Sequence, residues 1–135
     1  MKLLIDANII LDVLMKHEPF YQDSSLIWKL CETEQDEGHV SALTFANLVY
    51  VMRKELTPKQ IESVLSSMRL IFRFDEMNEA DLINAAALKW TDFEDAIQSV
   101  TAERIKADCI ITRNVRDFRD SIIVAFTPAE YLARR

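Results

Sequence analysis

Short apolar runs alternate with helix-period stripes along this chain, and the stretches joining successive runs are too long for hairpins. Strands connected in that way lie parallel, and a parallel sheet needs helices over both of its faces. The runs are Lys2–Ile5 and residues 39–42, 70–74, 109–112 and 122–126. The expected fold is therefore α/β, a three-layer α/β/α sandwich around a central parallel sheet of about five strands. A chain of 135 residues without linker, repeat or low-complexity segment reads as one domain, residues 1–135.

The helices announce themselves by stripe and by cap. Asn8 is placed to cap a helix carrying Ile10, Val13, Leu14 and His17 on one face. Phe20, Ile27, Leu30 and Cys31 share a face of a second helix over residues 19–37, which Gly38 is expected to end as a C-cap. Phe45, Leu48, Val49 and Met52 form a third stripe. Thr57-Pro58-Lys59-Gln60 is a capping box with proline in the first turn, and Thr127-Pro128-Ala129-Glu130 repeats it near the C-terminus. Asn78 is placed to cap a helix with Ile83, Ala86, Ala87 and Trp90 on one face.

Composition removes several function classes. Gly38 is the only glycine, so no Gly-rich phosphate loop exists. No apolar run approaches the ~20 residues that span a bilayer, and Asp6 interrupts the N-terminal run before it resembles a signal peptide. Cys31 and Cys109 stand alone in apolar patterns, as buried free thiols of a cytoplasmic protein would. A net charge of −6 argues against a broad basic surface for nucleic acid. It is compatible with a nucleic-acid enzyme whose acidic pocket holds a divalent metal. His17 and His39 have no ligand-like neighbours in the sequence and read as surface or packing residues.

The chemistry gathers in residues 91–118. Asp92 and Asp95 open a helix of about a dozen residues, one helix face apart. That helix leads into the 109–112 strand and then a polar turn with Thr112, Arg113, Asn114 and Asp117. Open α/β sheets collect their sites beyond the carboxyl ends of the strands. If the first strand neighbours the 109–112 strand, Asp6, Asp95 and Asp117 meet at one sheet edge. Carboxylates so packed raise one another's pKa, and a bound cation relieves the conflict. Oxygen-only ligands point to Mg²⁺ or Mn²⁺ and away from zinc. Each residue also has a plain structural reading: Asp92 as an N-cap, Asp6 and Asp117 as turn residues, Asn47 as a solvated position. Only the combination points to a site.

Four blocks carry a family likeness: Leu4-Ile5-Asp6-Ala7-Asn8, the segment Ser41 to Asn47, Asp92-Phe93-Glu94-Asp95-Ala96, and Ile111-Thr112-Arg113-Asn114-Val115-Arg116-Asp117-Phe118. In this order the sequence resembles the PIN domain, from residue 1 to about 132. The resemblance implies a metal-dependent nuclease, in many members the ribonuclease toxin of a bacterial toxin–antitoxin pair. It implies an acidic pocket at Asp6, Asp95 and the Asn114/Asp117 turn, with a glutamate usual at the position of Asn47. Asn47 offers a neutral oxygen there, as in a subgroup of the family, and Asp92 is the candidate replacement for the lost charge.

The expected activity is Mg²⁺- or Mn²⁺-dependent hydrolysis of RNA phosphodiester bonds. Asp6, Asp95 and Asp117 are the expected catalytic residues, with Asp92 and Asn47 completing the metal set. Thr112 and Asn114 would orient ligands, and Arg113, Arg116 and Arg119 would hold flanking phosphates of a single-stranded or looped RNA. Expected partners are an antitoxin that covers the acidic edge and a second copy of the chain, paired through the helices over 19–37 and 57–68. The reading from another class is a PIN-like module that binds RNA or a partner and no longer cuts, motivated by Asn47. A phosphoacceptor domain fits poorly, because Asp6 is followed by Ala and Asn instead of a second acid.

Overall fold

The computed structural model describes every residue from Met1 to Arg135. Five parallel strands form one sheet: β1 (Lys2–Ile5), β2 (Glu37–Ser41), β3 (Arg73–Asp75), β4 (Cys109–Ile111) and β5 (Ala125–Phe126). Their spatial order is β3-β2-β1-β4-β5, so the chain starts in the middle and builds outward to each side. Seven helices accompany them: α1 (Ala7–Leu14), α2 (Tyr21–Glu32), α3 (Ala42–Met52), α4 (Pro58–Met68), α5 (Glu79–Leu88), α6 (Phe93–Arg104) and α7 (Pro128–Arg134). A 3₁₀ turn spans Val115–Phe118. The expected α/β sandwich with a five-stranded parallel sheet is the observed one.

Alternation along the central strands feeds two cores. Leu3 and Ile5 of β1 face one layer with Val40, Cys109 and Ile111, where α1 to α4 and Tyr131 of α7 pack. Leu4 and Ile110 point the other way, against Ala102, Ala107, Phe118 and Ala125. Leu3, Leu4, Ile5, Ile110 and Ile111 are fully buried, as strands covered on both faces require. Beneath the second layer, α5 and α6 pair through Ala85, Ala96, Ile97 and Val100. Cys31 and Cys109 are buried free thiols, and burial pushes both up to about 12.

Several local expectations are corrected. Asp6, not Asn8, caps α1: its carboxylate accepts from the Ala7 amide at 2.9 Å. Gly38 does not end a helix. It lies within β2, where a Cβ would stand 2.6 Å from Cys31 Sγ and 2.8 Å from Phe72 Cδ1. The left-handed residue after α2 is instead Glu34, at φ 61°. On α5 the inward residues are Asp81 and Ala85, and Ile83 stays 64% exposed. The face turned that way because Arg104 pairs with buried Asp81 at 2.9 Å; Trp90 lies beyond the helix end. The third strand begins only at Arg73, since the chain after α4 still turns helically as far as Phe72 N–H, which bonds Met68 O. The last strand is only Ala125–Phe126, paired with Ile110 and Ile111 of the short β4. His39 is not a plain packing residue: its buried ring sits between Asp75 at 2.7 Å and Glu37 at 2.9 Å, tying β2 to β3.

One further device closes the amino-terminal edge of the sheet. Asp36 accepts from the terminal amine of Met1 at 3.3 Å, the Tyr131 hydroxyl at 2.9 Å and Arg135 at 3.1 and 3.2 Å. Burial works to raise its pKa, but the bonds from Arg135, Tyr131 and the amino terminus outweigh it and hold the carboxyl below its usual range.

Candidate active site

The register places the site before any side chain is considered. Ile5 of β1 pairs with Ile111 of β4, so Asp6 and Thr112 leave the sheet side by side. The Asp6 amide donates to Ile111 O at 2.9 Å, and Thr112 Oγ1 donates to Asp6 Oδ2 at 2.8 Å. Thr112 Oγ1 in turn accepts from the Asn114 amide at 3.1 Å, which shapes the turn that follows. On the other flank β2 ends at Ser41, whose hydroxyl caps α3 by accepting from the Thr44 amide at 3.1 Å.

Gln98 joins these strand ends. Its carbonyl accepts from Ser41 Oγ at 2.6 Å, while its amide donates to Thr44 Oγ1 at 2.8 Å and Asp6 Oδ1 at 3.3 Å. The side chain is 3% exposed, so a fully engaged amide fixes Asp6 from behind. Sequence reasoning missed it. The available signal was its spacing, one turn after Asp95 on the same face of α6.

Asp95 stands in the first turn of α6, whose N-cap is Asp92, accepting from the Asp95 amide at 3.1 Å. Burial raises the Asp95 pKa, and the negative charges of Asp92, Asp6 and Asp117 raise it further, to about 7. Asp6, Asp92 and Asp117 thus lie near enough for their charges to act on Asp95, without closing into one cluster. As arranged, no three His, Cys, Asp or Glu side chains are close enough to grip one ion.

Two open hollows adjoin Asp95. The larger, about 740 Å³, is lined by Asp92, Asp95, Asp117 and Asp120 together with Arg116 and Arg119. The smaller, about 290 Å³, is lined by Asp6, Asn47, Glu94, Asp95, Gln98, Arg113 and Asn114 among others. Asp92 thus faces the larger hollow, away from Asn47. The carboxylate that meets Asn47 is Glu94, at 3.4 Å from its amide nitrogen, a neighbour the sequence reading did not single out. The three arginines also separate. Arg116 and Arg119 line the larger hollow, whereas Arg113 turns its Nε to buried Asp12 at 3.3 Å and lays its guanidinium 4.2 Å from the centre of the Phe20 ring.

Residues 2–116 match the family model described as PIN domain. The chain belongs to the PIN domain family. This PIN domain is also similar in fold to several solved structures. A FitAB complex bound to an IR36 DNA fragment superposes with a TM-score of 0.74 at 18% identity, covering 93% of this chain and 94% of that one. VapBC-1 from nontypeable Haemophilus influenzae gives 0.72 at 20% identity, over 96% and 99% of the two chains. VapC20 from Mycobacterium tuberculosis, a sarcin-ricin loop cleaving toxin, gives 0.64 at 8% identity, over 80% and 86%. No curated protein sequence matches the chain. At these identities the likeness is one of fold, and it runs over four fifths or more of each chain.

PIN domains are generally divalent-metal-dependent nucleases, and the chemistry of the donors here suits such an ion, although no three acids converge as arranged. All the candidate ligands offer oxygen, which Mg²⁺ and Mn²⁺ prefer. A half-buried carboxylate held near neutrality by three other acids is one that a cation would relieve. No helix of this PIN domain is long and apolar enough to cross a membrane.

Proposed function

We propose that this PIN domain is a Mg²⁺- or Mn²⁺-dependent endoribonuclease and the toxin of a toxin–antitoxin pair. The observation that carries the reading is Asp95, raised to about 7 by burial and by Asp92, Asp6 and Asp117 at the carboxyl edge of a parallel sheet. Asp6 and Asp95 would hold the metal, with Asp117, Asp92 and Asn47 around them. When bound, the ion supplies an activated water and neutralises charge building on the phosphoryl oxygens.

The chain's own residues do the rest. Gln98 and Thr112 each donate to Asp6, fixing the direction of its carboxylate. Thr112 also sets the Asn114 amide, and so the turn that carries Asp117. Arg116 and Arg119, exposed beside Asp117, are placed to take phosphates of a single-stranded or looped RNA entering the larger hollow. The toxin assignment rests on solved structures of like fold, among them a toxin–antitoxin complex from Klebsiella pneumoniae and the toxin VapC20. An antitoxin for this chain would cover the acidic edge with an Arg or Lys among the carboxylates. Self-association would use α2 and α4, and the protein would work in the cytoplasm.

The test is cleavage of a panel of single-stranded and structured RNAs in Mn²⁺ or Mg²⁺, repeated in chelator and with Asp6→Asn. Metal-dependent cutting that Asp6→Asn abolishes is the expected result; uncut RNA throughout would refute the activity. A second reading, a module that binds without cutting, draws on the neutral Asn47 and the absence of three converging acids. On that reading Asn47→Glu creates activity where the natural chain has none.

A further inference from the structure

Helix α1 carries a carboxylate that the centre described above does not use. Asp12 is 0% exposed, and only its Oδ2 is hydrogen-bonded, by Ser24 Oγ at 3.1 Å. The same oxygen stands 3.3 Å from Arg113 Nε, and Oδ1 stands 3.4 Å from His17 Nδ1. Neither Asp12 Oδ1 nor Arg113 Nε completes a hydrogen bond. A buried carboxylate left so incompletely satisfied beside a partly exposed arginine is a poor stabilising device, since an apolar residue of like volume would serve the core as well or better. It makes sense as a device for placement.

What it places is Arg113. This residue begins the turn after β4, two positions past Ile111, and its amide is held by Asn8 Oδ1 at 3.3 Å. One face of its guanidinium rests on the Phe20 ring, 4.2 Å from the centroid. Its Nε edge is turned to Asp12. With a face and an edge occupied, the remaining part of a side chain 32% exposed lines the smaller hollow beside Asp6, Asp95 and Asn114. Arg113 is the one permanently cationic residue lining that hollow, whose carboxylates would otherwise repel a phosphodiester. A guanidinium held in advance loses less freedom when it binds a phosphate.

We propose that Asp12 is a positioning residue, which with Phe20 holds Arg113 as a preset clamp for a backbone phosphate of the RNA at the smaller hollow. This rests on the nuclease reading above. The clamp acts on substrate binding, so it moves KM and leaves the metal centre alone.

The experiment measures kcat and KM for RNA cleavage in Mn²⁺, with Mn²⁺ affinity by calorimetry and melting temperature, on the whole chain. The variants are Asp12→Asn, Arg113→Ala, Arg113→Lys, the double variant of the first two and Phe20→Ala, the last at a ring 41% exposed. Expected is a rise in KM of about tenfold for Arg113→Ala, the size of one charge-assisted contact. Asp12→Asn and Phe20→Ala should raise KM in the same direction, with Mn²⁺ affinity unchanged. The double variant should be no worse than Arg113→Ala, because both changes remove one clamp. If Asp12→Asn does not fold, Phe20→Ala and Arg113→Lys decide. A natural KM in both, or multiplying effects in the double variant, overturns the clamp while leaving the nuclease intact. A wild type that binds no Mn²⁺ and cuts no RNA removes the reading beneath it as well.

Discussion

Asp95 shows how a single carboxylate can be wrong for the fold and right for a metal. Its neutral form is favoured by burial and by Asp92, Asp6 and Asp117, so the folded chain holds that proton up to about pH 7. The unfolded chain releases it near the ordinary carboxylate value, and between those two points the folded state binds more protons. Its contribution to stability therefore falls as pH rises through that window. Asp95→Asn removes the repulsion, so at pH 8 without metal the variant should melt higher than wild type, by about 1 kcal/mol once solvent screening is allowed for. A lower melting temperature would mean that the repulsion is not there. The same proton competes with a cation. Mn²⁺ affinity should rise about tenfold per pH unit below 7 and flatten above it, as expected for one displaced proton; calorimetry across pH 5.5 to 8.5 would show this, and a flat profile would contradict it. At this scale Asp6, Asp95 and Thr112 were legible because strand ends and helix starts are marked in the sequence. Glu94 was not, because what singles it out is its contact with Asn47 of α3, a distance no local pattern encodes, and Gln98 carried only its spacing from Asp95 as a signal.

Elements were legible wherever their punctuation is chemical and local. The expected capping boxes at Thr57 and Thr127 form, and the expected cap at Asn78 proves to be a box as well, closed by Asp81. The errors fall where tertiary packing overrules local preference. Gly38 reads as a helix terminator but serves as a gap between two neighbours, Cys31 and Phe72. The face of α5 was misread because a buried ion pair, Asp81 with Arg104, replaced the apolar stripe. Gly38→Ala tests the corrected role. Its β-backbone tolerates alanine, yet the new methyl collides with a sulfur and a ring, so a loss of about 1–3 kcal/mol in denaturant unfolding is expected. A gain in stability would instead assign the glycine to chain flexibility.

At the scale of the molecule, the two ends of the sheet have opposite tasks. The carboxyl edge gathers acids that repel one another, while at the amino edge the buried acid Asp36 is met by three donors from both chain termini. Because the folded pKa of Asp36 is lowered, its stabilisation is complete above the ordinary carboxylate value and is lost as pH falls through the folded one. Acid should therefore loosen the termini first, and amide exchange of α7 below pH 4 would report it; uniform exchange across the sheet would not fit. The α/β class and the parallel sheet were legible as a whole, since strand–helix alternation admits few other arrangements. Strand order was less so, because it depends on which neighbour each strand chooses after a helical crossover.

Mn²⁺ binding by calorimetry on wild type and Asp95→Asn, with RNA cleavage followed in the same samples, bears most directly on the proposed metal centre. The expected result is binding by wild type that Asp95→Asn loses, accompanied by cleavage that depends on the metal. Equal binding by both proteins, or by neither, would contradict a metal centre built on Asp95.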